Sequence, residues 1–399
     1  MSNKIVPVQN KKRNKWIDGL KGIACFQVFF NHFMCSVYPA YYMAGEQPVH
    51  TNGFEKWLAY SPLNLLLEGE MYVAIFCLVS GIFLTLKVMK LGDNKSNLSP
   101  IIVGRYFRLV LPVVPVGILV SVMSKLHLFS NVKASAITGS KWLGSFYTEP
   151  IGFIKMFASV FVKTWFYGDD TISTAFWMLP QMFIGSFLAI ILGVIYWKIK
   201  KKAVIVYIFV CLALIPRHDY VMVFAIGAIF AWMINEDCIE ILKGKSKGYI
   251  ATVIGLVLIV IGHLIAGYPI QLEPKGFYQY MNLGFNDLWR VCGGTLFLFG
   301  VWNVEFMQKI LSIAPLSKLG EWCYEFYIIH IPLLFSIGMW MFVKLTEAGM
   351  NYNVASVITF FASFFATIFV AFLYSKYISK LCIKIENWLV TYLQKDNIY

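Results

Sequence analysis

Three ionisable side chains interrupt an apolar stretch near the start of the chain: Asp18, Lys21 and His32. On an α-helix, Lys21 and His32 are separated by about 20° around the axis and about 16 Å along it. Asp18, three residues before Lys21, falls on the same side. The stripe has two readings. One is a lysine that snorkels to a membrane rim, with a histidine satisfied by a neighbouring helix. The other is a built path from a cation to His32, and histidine is the side chain best suited to move a proton near neutral pH.

Further candidates follow along the chain. Glu68 and Glu70 open a second apolar stretch, and Glu70 is positioned to orient or balance His32. Ser80-Gly81, deeper in that stretch, reads first as a small pair that lets helices approach closely. Arg105 and Arg108 are three apart and either anchor a helix end or clamp phosphates, which guanidinium forks suit. His330 precedes Pro332 and can satisfy the carbonyl that the proline frees, or do more. Trp177 suits a membrane interface, whereas Gln181, four residues on, is the odder residue. His50, His127, His218 and His263 fall in loops or near span ends. No zinc, phosphate-loop, dinucleotide or serine-elbow pattern occurs, and no metal is expected.

These residues need elements to hold them, and composition says which. Of 399 residues 59% are hydrophobic and 14% charged, against about 25% charged in a soluble domain. The mean hydropathy of +0.67 agrees. A soluble enzyme, a nucleic-acid-binding protein and a disordered chain are thereby disfavoured, and the net charge of +13 is expected to sit at span ends. Aromatic residues, 17% of the chain, suit membrane interfaces. A crossing helix takes roughly 20 residues. Ten stretches qualify: 16–38, 69–89, 106–123, 175–197, 203–215, 220–234, 249–266, 288–304, 322–343 and 354–378. The fifth and sixth are short, with Pro216-Arg217-His218-Asp219 between them, and form two spans or one re-entrant hairpin. The expected fold is an all-α polytopic membrane bundle.

With the N-terminus inside, 23 Lys and Arg fall in inner segments and 10 in outer ones, so both termini are expected in the cytoplasm. The inner charges include Lys4, Lys11, Lys12, Arg13 and Lys15, the stretches 87–108, 198–202 and 243–247, Lys309 with Lys318, and the C-terminal lysines. The first stretch is long for a signal core and has no convincing cleavage site, which makes it a retained span. The eight cysteines lie in or beside spans and read as buried small residues. Residues 125–174 form the longest outer segment; Trp142, Phe146, Tyr147 and the run 151–166 suggest amphipathic pieces on the membrane surface. The organisation is a basic N-tail (1–15), a membrane domain (16–378) and a cytoplasmic C-tail (379–399). A multi-pass protein of the cell membrane is expected.

Asp18-Gly19-Leu20-Lys21-Gly22-Ile23-Ala24 followed by His32 resembles the opening of the acyltransferase-3 family of membrane acyltransferases, typically "D-G-L-R-G-I-A" with a histidine near the end of the first helix. Other stretches follow in order. Phe76 to Leu84 resembles "F-F-V-L-S-G-F-L", and Arg105-Tyr106-Phe107-Arg108-Leu109 resembles "R-R-x-x-R-L-x-P". Phe176 to Gln181 resembles "L-W-T-x-x-x-E", and Tyr324 to Pro332 resembles "S-Y-x-x-Y-L-x-H-x-P". The chain departs from the pattern twice. Lys21 replaces an arginine and loses its bidentate geometry. Gln181 replaces a glutamate and removes a carboxylate.

The resemblance implies transfer of a short acyl group, usually acetyl, from cytoplasmic acyl-CoA to a sugar hydroxyl, with acyl-CoA as co-substrate and no bound cofactor. It implies donor contacts at Lys21, Arg105 and Arg108. It makes His32 the catalytic candidate with Glu70, as proton acceptor or acyl relay; Asp18, Ser80, Trp177, Gln181 and His330 are further site candidates. The acceptor is expected to be a bacterial surface polysaccharide, such as a capsule, or its lipid-linked precursor. Many relatives carry a fused extracytoplasmic domain, and none is expected here, so a separate partner protein is an option. The excess of Lys over Arg (29 against 5) hints at an AT-rich bacterial genome. The rival reading is a non-enzymatic transporter or flippase of lipid-linked glycans, which predicts an internal repeat and charges in several helices. A third is a scaffold that has lost catalysis.

Overall fold

The computed structural model describes residues 14–43, 47–66, 68–92, 98–217, 220–238, 248–269, 273–282 and 287–395. The basic cluster up to Arg13, the lysines of 243–247, and His218 with Asp219 lie outside the described residues. Backbone that cannot reach water must be satisfied within its own segment, and helices do this. Accordingly no strand occurs among the described residues. Six helical segments are long and apolar enough to cross a membrane: Glu70–Met89, Leu98–Lys125, Thr174–Arg217, Gly248–Ala266, Cys323–Glu347 and Tyr352–Leu393. Shorter or more polar helices cover the remaining predicted stretches.

The helices that build the site are α1 (Lys15–Val37), α2 (Glu70–Leu91), α3 (Leu98–Val110) and α4 (Val113–Lys125). After them come α5 (Leu179–Ile199), α6 (Ala203–Leu214), α7 (Val221–Asn235), α8 (Gly248–Ala266) and α9 (Leu288–Asn303). The last are α10 (Ala314–Glu321), α11 (Cys323–Leu333), α12 (Met339–Glu347), α13 (Tyr352–Tyr374) and α14 (Lys380–Lys395).

Glycines decide the closest contacts. A Cβ on Gly19 or Gly22 of α1 would collide with the Leu311 and Leu316 carbonyls, and one on Gly320 of α10 with the Asp18 carbonyl. The α1 backbone from Asp18 to Gly22 therefore touches the backbone of residues 311–320. On α2, a Cβ at Gly81 would lie 3.0 Å from the Phe224 Cα of α7, so Gly81 serves packing while Ser80 beside it lines a cavity. Phe29 of α1 packs on Phe364 of α13 with ring centroids 5.4 Å apart, an aromatic pair of the kind that contributes about 0.5–1.5 kcal/mol beyond its area.

Three segments differ from their expected form, and one turn falls where it was expected. The third stretch starts at Leu98 and is broken at Pro112, which lacks the N–H to continue a helix. Tyrosines pair with carbonyls at the break: the Tyr324 and Tyr374 hydroxyls each donate at 2.6 Å, to Leu109 O and Pro112 O. The fourth and fifth stretches reverse at Lys200–Lys202, where Lys200 is left-handed (φ 47°), and Tyr207 reaches back to Leu192 O at 2.7 Å. Residues 125–174 split in character. Ile154, Phe157 and Phe161 are exposed as a surface segment requires, whereas Asn131–Gly144 folds over α1, with Ser140 Oγ donating to Cys35 O at 2.8 Å. The tail from Lys380 is a helix docked on α3. Among the cysteines, Cys25, Cys35, Cys77 and Cys382 are buried, but Cys292 is exposed on α9 and three are partly exposed; all eight are unpaired.

Candidate active site

Among the described residues, two of the cavities in the bundle each take a different share of the ionisable residues. The histidine cavity, about 420 Å³, is lined by α1, α2, the N-terminal turns of α5 and α7, and the 131–144 cover. The basic cavity, about 580 Å³, lies among α1, α2, α3, α5, α11 and α14. Val73 of α2 and Tyr327 of α11 line both, so the two spaces meet at these side chains.

His32 lines the first cavity, and its ring is fixed on two sides. Trp142 stacks on it at 5.9 Å between centroids and 16° between planes. Its Nδ1 lies 2.9 Å from Val28 O and 3.2 Å from His330 Nε2. His330 is fully buried, with Nδ1 at 2.7 Å from Tyr327 O. Carbonyl oxygens only accept, so in the neutral pair each Nδ1 carries the proton. His330 Nε2 then accepts from His32 Nδ1–H, and His32 Nε2 is left as a lone pair in a ring that lines the cavity. This is the arrangement of a general base whose second nitrogen is held by a partner able to share its positive charge.

His330 thus does more than answer a helix kink. Pro332 removes a donor two residues on, and a π turn follows at Leu334–Gly338. The histidine spends one nitrogen on the local Tyr327 carbonyl and the other on His32, 298 residues away.

Glu70 lines the same cavity but makes no hydrogen bond to His32. Its Oε1 accepts from the Tyr42 hydroxyl at 3.0 Å, and its Oε2 lies 3.4 Å from Arg290 Nε and 3.5 Å from the Tyr220 hydroxyl. Arg290 is buried on α9, donates to Glu68 Oε2 at 2.9 Å and also bonds the Tyr268 carbonyl. Glu68 in turn accepts from the Glu70 backbone N–H at 2.9 Å. One guanidinium therefore serves two carboxylates. Burial raises the pKa of Glu68, in the loop ahead of α2, against the pull of Arg290.

Trp177 and Gln181 sit on the far wall. Trp177 packs edge-on against Tyr220 at 5.6 Å. Gln181 Oε1 accepts the Tyr220 backbone N–H at 2.6 Å, one of the orphan donors at the start of α7. A carbonyl oxygen does this as well as a carboxylate, so the glutamine retains a positioning task. Asn31, Thr174 and Asp287 add to the polar lining; among the described residues no lysine or arginine lines this cavity.

The basic cavity holds the other candidates. Lys21, Ser80, Lys87, Arg105 and Arg108 line it. Lys21 Nζ lies 2.8 Å from Asp18 Oδ1, which keeps both at one end of α1. Arg105 Nε donates to Ser186 Oγ at 2.8 Å. Arg108 is committed to a carboxylate: Nη2 and Nε reach the two oxygens of Glu386 at 2.7 and 3.1 Å.

The family model described as an acyltransferase domain, acyltransferase-3, matches residues 14–376. The chain belongs to the acyltransferase-3 family. Comparison with curated proteins and with solved structures finds no match. Membership and the apolar helices together make the chain a multi-pass membrane protein built as an acyltransferase.

The five acyltransferase-3 motifs converge on the two cavities. The Asp18–Ala24 motif packs on α10 and delivers Lys21 to one cavity and, 11 residues on, His32 to the other. Sequence reasoning brought out His32, His330, Lys21, Arg105 and Arg108, and the structure brings the first two together in one place and the other three in another. It missed Arg290, Trp142, Lys87 and Glu386. A lone arginine near a span end has no sequence signal separating it from an orienting charge, and Trp142 looked like an interface residue. Glu386, an acid on the buried face of an amphipathic tail, was the one legible from periodicity.

Proposed function

We propose that the protein transfers an acetyl or other short acyl group from acyl-CoA to a sugar hydroxyl of a bacterial surface polysaccharide or its precursor. The observation that carries this is the shared boundary at Val73 and Tyr327: a cation-lined space adjoins a space holding a fixed histidine, polar side chains and tryptophans. Lys21, Arg105 and Arg108 suit the phosphates of the donor, and its thioester arm would extend toward Tyr327. In the other cavity Trp142 and Trp177 offer apolar ring faces, and Asn31, Glu70 and Gln181 offer hydrogen bonds, a mixture suited to an uncharged sugar.

In the reaction His32 Nε2 takes the proton of the acceptor hydroxyl, and its oxygen attacks the thioester carbonyl carbon. The tetrahedral species collapses with loss of the thiolate, which takes up the proton to leave as CoA thiol. The imidazolium formed meanwhile shares charge through Nδ1 with His330 and Val28 O. Glu70, held by Tyr42 and Arg290, is available to orient the acceptor rather than His32.

The test is surface-glycan O-acetylation by proton NMR in a deletion strain complemented with wild type or with His32→Ala. Wild type should restore the acetyl signals and His32→Ala should not. Full restoration by His32→Ala overturns the assignment of the base. Acetyl signals unchanged by the deletion overturn the glycan acceptor and favour the flippase reading.

A further inference from the structure

The basic cavity has a wall of its own making that carries the wrong charge for a phosphate site. Helix α14 closes one side with Glu386, Asn387 and Val390. The Glu386 carboxylate is buried and takes the whole fork of Arg108. A guanidinium presents the same two-pronged face to a carboxylate and to a phosphate, so the two ligands are alternatives at Arg108. Among the described residues, neither Lys87 nor Arg105 is paired with a carboxylate; Arg105 holds only the neutral Ser186 hydroxyl. The site thus keeps two cations open, while Asp18 answers Lys21 and the closing helix answers Arg108.

The helix that brings Glu386 is attached as an arm. It follows α13 through a π turn at Ser375–Ser379, whose Ser379 hydroxyl donates to Glu325 at 2.6 Å. Cys382, Glu386 and Val390, four apart, form its buried face. Leu381, Ile385, Trp388 and Tyr392 form an exposed apolar stripe, the pattern of a helix lying in a membrane–water interface. Space for the carboxylate is made by Gly104 of α3, where a Cβ would come within 3.0 Å of Glu386 Oε1.

We propose that Glu386 is an internal stand-in for a donor phosphate, and that α14 is a lid: an anionic donor enters by displacing Glu386 from Arg108, and the carboxylate returns when CoA leaves. The proposal rests on the reading of the basic cavity as the acyl-CoA site. Ordering α14 when the site is empty keeps Arg108 paired, and the displaced arm stays near through its apolar stripe.

The experiment uses the full chain in lipid nanodiscs with CoA as the probe. Calorimetry should give three- to tenfold tighter CoA binding for Glu386→Gln than for wild type. Arg108→Gln and the double variant Arg108→Gln/Glu386→Gln should bind alike, because Glu386 acts through Arg108. Hydrogen exchange of the wild type needs no variant: CoA should protect amides of 98–110 and speed exchange over 380–395. Protection of 98–110 with slowed or unchanged exchange over 380–395, or unaltered affinity in Glu386→Gln, overturns the lid while leaving the donor site intact. No calorimetric binding and no protection anywhere overturns the donor reading, and the lid with it.

Discussion

The two cavities share two side chains and differ in almost everything else. The histidine cavity is assembled from fixed parts. His32 is held by Trp142, Val28 and His330, and Glu70 by Tyr42 and Arg290, so that each reactive group already has its second contact. The basic cavity is assembled from cations on three helices, two of them answered by carboxylates, Lys21 by Asp18 and Arg108 by Glu386. Chemistry at a carbonyl demands atoms placed to a fraction of an ångström, and binding of a flexible polyanion demands charge density and access. On the proposed function, the contrast is that between a reaction centre and a binding vestibule.

Substitutions in the two regions should therefore fail in different ways. The largest effect is expected from His32→Ala: transfer to the acceptor should fall by about 10²–10⁴-fold, with CoA affinity measured by calorimetry unchanged. A comparable loss of both would erase the distinction between the cavities. Arg290→Met comes next, because it leaves the buried Glu68 and the partly buried Glu70 carboxylates facing each other. It should cost about 3–5 kcal/mol of stability, seen in a denaturation midpoint. Glu68→Gln, which removes the second negative charge, should cost far less. If the two variants melt alike, Arg290 is not balancing a pair.

Smaller effects should appear on the other side. Removing one charge-assisted contact is worth about 1.5–3 kcal/mol, so Arg105→Ala should raise the KM for acyl-CoA roughly tenfold or more while kcat stays near wild type. Arg108→Ala should raise it less, since wild-type Arg108 must first leave Glu386. A larger penalty at Arg108 than at Arg105 would reverse that ranking. The smallest change is expected for Gln181→Glu, which preserves the acceptor of the Tyr220 N–H. Transfer within about threefold of wild type, by the same NMR assay, would show that the position needs an oxygen rather than a charge.

Much of the fold was legible because a bilayer imposes a simple rule on composition: apolar stretches become helices, and the few polar residues within them stand out. Lys21 and His32 were readable as one face of α1 from their spacing alone. Their destinations were not. The axial distance between them carries them into two separate cavities, which helical geometry implies only once the walls are known. Glu70 seemed a companion for His32 because both lie toward one end of adjacent stretches, yet His330, nearly three hundred residues distant, takes that place. Sequence separation of this size leaves no local trace. Likewise the cover from Asn131 to Gly144 reads as surface because its aromatics are those of an interface, and only its fold over α1 sets Trp142 against the histidine.

The chain's own residues determined its environment, its helices and the family of its chemistry, because hydropathy, helical period and local motifs are short-range properties. Tertiary structure alone decided which charges are partners. Arg290 with Glu68 and Glu70, Arg108 with Glu386, and His32 with His330 are each joined across more than two hundred residues. A hydrogen bond depends on distances of about 3 Å, and such distances are set by how helices pack, not by where their residues fall along the chain.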